Sequence, residues 1–133
     1  MYSGVPMSWP ISVNNVNEFD PSILPDGRVL VTGGRGYSQE VLSSCEVFDG
    51  ASWSLAADLW TERYWHTATL LPSGQVLVAG GDDWYDELSP PDGIPSCELF
   101  NGATWTPTGD LAQARVAHTA TVLPDGRVLV AGG

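Results

Sequence analysis

His66-Thr-Ala-Thr-Leu-Leu-Pro-Ser-Gly-Gln-Val-Leu-Val-Ala-Gly-Gly81 returns 52 residues later as His118-Thr-Ala-Thr-Val-Leu-Pro-Asp-Gly-Arg-Val-Leu-Val-Ala-Gly-Gly133. The pattern Leu-Pro-x-Gly-x-Val-Leu-Val-x-Gly-Gly occurs three times, from Leu24, Leu71 and Leu123, at spacings of 47 and 52 residues. Ser-Cys-Glu recurs at Ser44 and Ser96, and Gly-x-x-Trp at Gly50 and Gly102, each again 52 apart. No segment carries the 3.6-residue apolar period of a helix, so the repeating unit is a group of strands.

Each unit reads as four strands. The first runs His66 to Leu71, with His118 to Leu123 as its copy, and ends in Pro-Ser-Gly or Pro-Asp-Gly. There proline presets φ and glycine accepts a positive φ in a tight turn. The second is Gln75 to Ala79, with copies Arg28 to Thr32 and Arg127 to Ala131. Its Val-Leu-Val centre is apolar on both faces, as a sheet packed between two others requires. The third is Ser44 to Phe48 or Ser96 to Phe100, followed by Asp49-Gly50 or Asn101-Gly102, both two-residue hairpin signals. The fourth carries Trp53 or Trp105, read as packing anchors because they occupy one repeat position. A period near 50 residues in four strands describes an all-β propeller segment of two and a half to three antiparallel blades.

The paired glycines Gly33-Gly34, Gly80-Gly81 and Gly132-Gly133, with the third strand and Trp that follow the first two pairs, resemble the kelch motif. The wording is most similar to kelch repeats of bacterial proteins and of the galactose-oxidase family. That resemblance covers nearly the whole chain and implies fold far more specifically than function, since kelch propellers serve both as partner-binding platforms and as enzyme scaffolds.

Composition narrows the function. Sixteen acidic residues against five arginines and no lysine give a net charge of −11, which excludes the basic footprint of a nucleic-acid or anionic-membrane binder. No apolar stretch reaches the roughly 20 residues of a membrane span, and Met1-Tyr2-Ser3-Gly4 opens no signal segment, so the expected location is cytoplasmic. Cys45 and Cys97 occupy equivalent positions in neighbouring blades, about 10 Å apart, beyond disulfide reach. Neither has Cys or His neighbours at metal-ligand spacing, and no metal or other cofactor is expected.

Repeated polar residues are read as structural. Arg63 and Arg115 lie three residues before His66 and His118, while Glu46 and Glu98 sit in third strands on the side of Phe48 and Phe100. Each glutamate is expected to pair with the arginine of the following blade: Glu46 with Arg63 and Glu98 with Arg115. The first repeat has Val16 in the arginine position and Phe19 in the histidine position. Catalytic residues are not assigned, because both histidines are repeat residues.

The units divide as an N-terminal outer strand (1–17, around Trp9), blade 1 (18–59), blade 2 (60–111) and a C-terminal half blade (112–133). Three blades do not close a ring of the usual 4 to 8 or so. Two readings follow: two copies close a six-bladed homodimer, each lending its N-terminal strand to the partner, or the chain is a piece of a longer protein.

Function is sought on the face carrying the loops between second and third strands and the links between blades. In kelch adaptors of ubiquitin ligases, which the chain resembles, that face binds partners. Here it displays Arg35 to Leu42, Leu59 to Tyr64, Asp82 to Pro95 and Gly109 to Ala114. The stretch Asp82-Asp83-Trp84-Tyr85-Asp86-Glu87 puts four carboxylates and two aromatics in six residues. With Trp60 and Tyr64 it forms the expected binding surface, for a cationic protein segment or a carbohydrate. Its acidic spacing does not match a calcium loop. The resemblance to galactose oxidase implies the competing reading, a copper enzyme scaffold, which would need tyrosines and more histidines near the axis than His66 and His118 supply.

Overall fold

In the computed structural model, which describes residues 20–133, the repeat words form strands within one residue of the limits expected from sequence. The first sheet has β1 (Asp20–Ile23), β2 (Val29–Thr32), β3 (Cys45–Phe48) and β4 (Trp53–Ala56) in that spatial order. The second repeats it with β5 (Thr67–Leu70), β6 (Val76–Ala79), β7 (Cys97–Phe100) and β8 (Trp105–Thr108). A third sheet holds β9 (Thr119–Val122) and β10 (Val128–Ala131). Every pairing is antiparallel, and the described residues contain no helix. The first strands β1, β5 and β9 pack successively against one another, so the sheets fan from a common edge as an open, propeller-like segment that is not closed. The expected N-terminal strand around Trp9, with Val16 and Phe19, lies outside the described residues.

The turns follow from local chemistry, with one shift of register. Gly27, Gly74 and Gly126 close the Leu-Pro-x-Gly turns at φ of 90°, 91° and 90°. The second hairpin turn is displaced from the expected Asp-Gly and Asn-Gly positions. Phe48 pairs with Trp53, which puts Gly50 and Ala51 at the tip. Asp49 is instead the brace: its Oδ1 accepts the N–H groups of Ala51 and Ser52 at 2.8 and 2.9 Å, and Asn101 does the same for Ala103 and Thr104.

Between the first two sheets lies one apolar core of Leu24, Leu30, Cys45, Val47, Leu59, Val76, Val78, Phe100 and Trp105. Alternation selects these residues: Leu30 is paired with Val47, and Val76 with Phe100, so each sheet sends one parity of side chains into the shared layer. A fully buried Val or Leu contributes about 1.5–3 kcal/mol. Trp105 stacks on Phe100 with centroids 4.9 Å apart, and its indole N–H donates to the Ala57 carbonyl beyond β4, tying the outer strands together. Cys45 and Cys97 are free thiols, and burial pushes the Cys45 thiol up to about 12, so it stays protonated and unreactive at neutral pH.

Neighbouring sheets are joined where the segment entering one sheet crosses the paired glycines of the one before. Gly34 N–H donates to the Arg63 carbonyl at 2.8 Å, and Gly81 N–H to the Arg115 carbonyl at 2.8 Å. A Cβ on Gly33 would lie 2.5 Å from the Arg63 oxygen, and one on Gly80 would lie 2.7 Å from the Arg115 oxygen. The histidines complete the joint: His66 Nε2 lies 2.9 Å from Thr32 Oγ1, and His118 Nε2 lies 3.0 Å from Thr67 Oγ1.

The arginine–glutamate pairing differs from the sequence expectation. Arg63 pairs with Glu98 of its own sheet, Nη2 to Oε2 at 2.9 Å, with both side chains buried. Glu46 is exposed, and Arg115 donates to the Gly132 carbonyl at 2.8 Å rather than to Glu98. The reason is parity. Glu98 shares the face of Val78 and Phe100, which points back toward the first sheet, where the Arg63 segment runs. Glu46 has the opposite parity to the core residues Cys45 and Val47, and so faces away from the second sheet. Alternation correctly grouped each glutamate with its phenylalanine but not with the right neighbour. The Glu98 carboxylate also accepts the N–H groups of Trp60 and Thr61 at 2.7 and 3.1 Å, so removing it would strand a buried cation and two amides.

Two outcomes follow. Gly81→Ala, at φ of 91° with a backbone oxygen in the way, is expected to cost about 2–4 kcal/mol in urea unfolding. Gly102→Ala, at φ of 101° in open space, is expected to cost only about 1 kcal/mol, the difference being the close approach of the Tyr64 and His66 backbone to Gly81 within the second sheet. The second concerns acid. Burial first, and then the Arg63 cation, lower the His66 pKa from 6.5 to about 3. The unfolded chain therefore binds the extra proton between those values, and stability falls as pH drops from 6.5 toward 3, by up to about 1.4 kcal/mol per pH unit. Urea midpoints of His66→Gln should show a shallower pH dependence than wild type between pH 7 and 5.

Candidate functional site

At one end of the sheets, the β2–β3 connection of the first sheet meets the link into β5 and the β6–β7 connection of the second. Two backbone bridges pin this meeting. Tyr64 and Asp82 exchange both N–H···O bonds at 3.0 and 2.9 Å, and Arg35 is bridged to Val41 across its own loop. Tyr64 thereby becomes the buried floor of the site, 3% exposed.

Over that floor stands a stack no linear pattern announced. The Arg35 guanidinium carbon lies 3.9 Å from the Tyr85 ring centroid and 5.3 Å from that of Tyr64, while the two tyrosines meet edge-on at 6.2 Å and 74°. Arg35 Nη1 donates to Gln39 Oε1 at 2.6 Å, which fixes the cation from its own loop. The Tyr64 hydroxyl donates to the Trp84 carbonyl at 3.4 Å. Arg35 follows Gly33-Gly34 as Asp82 follows Gly80-Gly81, so the repeat alignment places opposite charges at equivalent positions of adjacent sheets. That was the signal available in the sequence for Arg35.

Of the residues expected to bind, Tyr64, Asp82, Trp84 and Tyr85 come together, with Asp83 and Asp86 lining the adjoining cleft. The cleft, about 340 Å³, is lined by Asp82, Asp83, Trp84, Asp86 and Asp92 with Ser89, Pro90 and Gly93. Burial and the neighbouring Asp83 charge hold the Asp82 carboxyl above its ordinary range, while its Oδ1 accepts the Trp84 N–H at 3.3 Å. Asp86 is held low by the Leu88 N–H and the Ser89 hydroxyl, which brace the loop's own turn. Trp84 is 72% exposed at the rim, and Glu87 is exposed beside it.

Trp60 does not join them. Its indole N–H donates to the Trp105 carbonyl at 2.9 Å, so the ring lies along the outer strand β8, although it is 71% exposed.

Both histidines are buried with Nε2 committed to a threonine, so neither stands beside a nucleophile at the cleft. Among the described residues, no group of three or more His, Cys, Asp or Glu side chains is arranged to hold a metal ion. The site instead offers carboxylates and an exposed indole on a braced loop. No family model matches the chain, and no curated protein matches it.

Arg35 is the keystone of this loop arrangement. Arg35→Ala should raise hydrogen exchange in 82–93 and leave global stability within about 1 kcal/mol, the scale of a partly exposed cation–π contact. Equal exchange in variant and wild type would mean that the loop is held by its Asp86 turn alone.

Proposed function

We propose that this chain is a non-catalytic, kelch-type binding module that captures a cationic protein segment on the acidic loop face and works within an assembled ring. The observation that supports this most directly is the Arg35–Tyr85–Tyr64 stack. It braces Trp84 and the carboxylates of Asp82, Asp83, Asp86 and Asp92 around one cleft before any partner arrives. A braced aromatic beside acceptor-only groups favours a lysine- or arginine-bearing segment, because the indole supplies contact area and cation–π attraction while the carboxylates supply charge. Preorganisation lowers the ordering cost of binding.

Titration of Trp fluorescence with lysine- and arginine-rich peptides, beside neutral oligosaccharides, tests the reading. Saturable binding of the cationic peptides is expected, weakening as salt rises and falling about tenfold or more in Trp84→Ala. Asp83→Asn with Asp86→Asn should weaken it further. Binding of the oligosaccharides alone, or peptide binding indifferent to Trp84, would assign the face to another ligand.

A further inference from the structure

The two outer hairpins share one brace and differ in its terminal atom. In the first, Asp49 Oδ1 accepts the N–H groups of Ala51 and Ser52 at 2.8 and 2.9 Å, and the Asp49 N–H donates to the Ser52 carbonyl at 3.2 Å. In the second, Asn101 Oδ1 accepts those of Ala103 and Thr104, both at 2.8 Å, and the Asn101 N–H donates to the Thr104 carbonyl at 3.1 Å. Glycine follows in each, at φ of 104° and 101°, where a Cβ would meet nothing within 4 Å. Asn101-Gly102 is the one Asn-Gly pair of the chain, since Asn14, Asn15 and Asn17 precede Asn, Val and Glu.

The carbon of an asparagine amide is open to the next main-chain nitrogen when that next residue has no side chain to obstruct the approach. Asn101 and Gly102 meet that condition at an exposed tip. The Ala103 and Thr104 N–H groups already point at Oδ1, the oxygen that gathers negative charge during such an attack, as the donors of an oxyanion hole do. Asp49 has the same cradle without the reactivity. The N–H groups of Ser52 and then Ala51 hold its carboxyl below the ordinary range, so at neutral pH it is a carboxylate and a poor electrophile.

We propose that Asn101 is a self-modification site, at which the Gly102 nitrogen closes a succinimide ring that water reopens to aspartate or isoaspartate. A bond forms between Gly102 N and Asn101 Cγ, the Cγ–Nδ2 bond breaks, and Nδ2 leaves as ammonia with the Gly102 amide proton. Water then displaces the ring nitrogen from one of its two carbonyl carbons. Addition at Cγ leaves aspartate, and addition at the main-chain carbon leaves isoaspartate, with the chain running through Cβ and Cγ. One water is consumed, one ammonia is released, and nothing is oxidised or reduced.

The two products differ in consequence. Aspartate reproduces the first hairpin, whose carboxylate accepts the same two bonds. Isoaspartate lengthens the backbone between Phe100 and Trp105, which are paired across the turn and stacked at 4.9 Å. Trp105 also donates to the Ala57 carbonyl and accepts from the Trp60 indole, so the damage reaches the joint between the first two sheets. The site lies at the hairpin end and stands whether or not the loop face binds a partner.

Peptide mapping by mass spectrometry, after incubation of the folded chain at mildly alkaline pH, tests the proposal. Position 101 should exchange its amide for an acid within about tenfold of the rate in urea, because an exposed hairpin tip opens at little cost. Gly102→Ala should slow the exchange about tenfold or more by obstructing the nitrogen's approach. Asn101→Asp should keep the wild-type urea midpoint, whereas the isoaspartate fraction, identified by its resistance to an Asp-specific protease, should unfold at lower urea. Retention of the amide in the folded chain while the unfolded chain converts would overturn the proposal. So would an unchanged rate in Gly102→Ala, or an isoaspartate fraction as stable as wild type.

Discussion

The structure depends on how closely one sheet's entering segment crosses the paired glycines of the sheet before it. A Cβ on Gly80 would sit 2.7 Å from the Arg115 oxygen and 2.8 Å from His118 Cε1, so only a residue without a side chain lets the backbones meet. From that approach follow the Gly N–H to Arg carbonyl bonds, the Thr–His bridges and the depth at which Val76, Val78 and Leu30 are buried. It also places Arg63, whose carbonyl belongs to one joint while its guanidinium organises the sheet it enters. One residue thus couples the hydrogen bonding of two sheets, and a buried ion pair of modest net stability gains its importance by fixing register.

Much of this was legible in the chain. Repetition located the strands, because period-2 alternation and Gly- and Pro-marked turns are local properties. What stayed hidden was relational. Alternation told which glutamates share a side with Phe48 and Phe100, but not which neighbour that side faces, and so Arg63 was matched to Glu46 instead of Glu98. Asp49-Gly50 looked like the tip of a turn, yet the carboxylate's bonds to two following amides make it the turn's shoulder.

The acidic loop was conspicuous by composition, and the structure brings its Asp82, Trp84 and Tyr85 beside Tyr64. Arg35 was overlooked because its partners are 29 and 50 residues away, joined through a meeting of loops that no local pattern encodes. Trp60 was grouped with the site by exposure and residue type, and exposure proved a weak guide: its indole is hydrogen-bonded along β8. Binding surfaces on loops are harder to read than strands for this reason.

The two ends of the sheets also differ electrically. At the hairpin end, Asp26 and Asp125 are each answered by a neighbouring arginine at 2.8 Å, and Asp49 is absorbed into its own turn. At the loop end, Asp82, Asp83, Asp86, Glu87 and Asp92 are gathered within one segment, and the nearby Arg35 cation is already turned into the tyrosines. The segment is therefore a dipole along its strand axis. A partner segment whose positive charge is unevenly distributed would be drawn toward one end and turned by the field before touching it, so selection among orientations begins in solution.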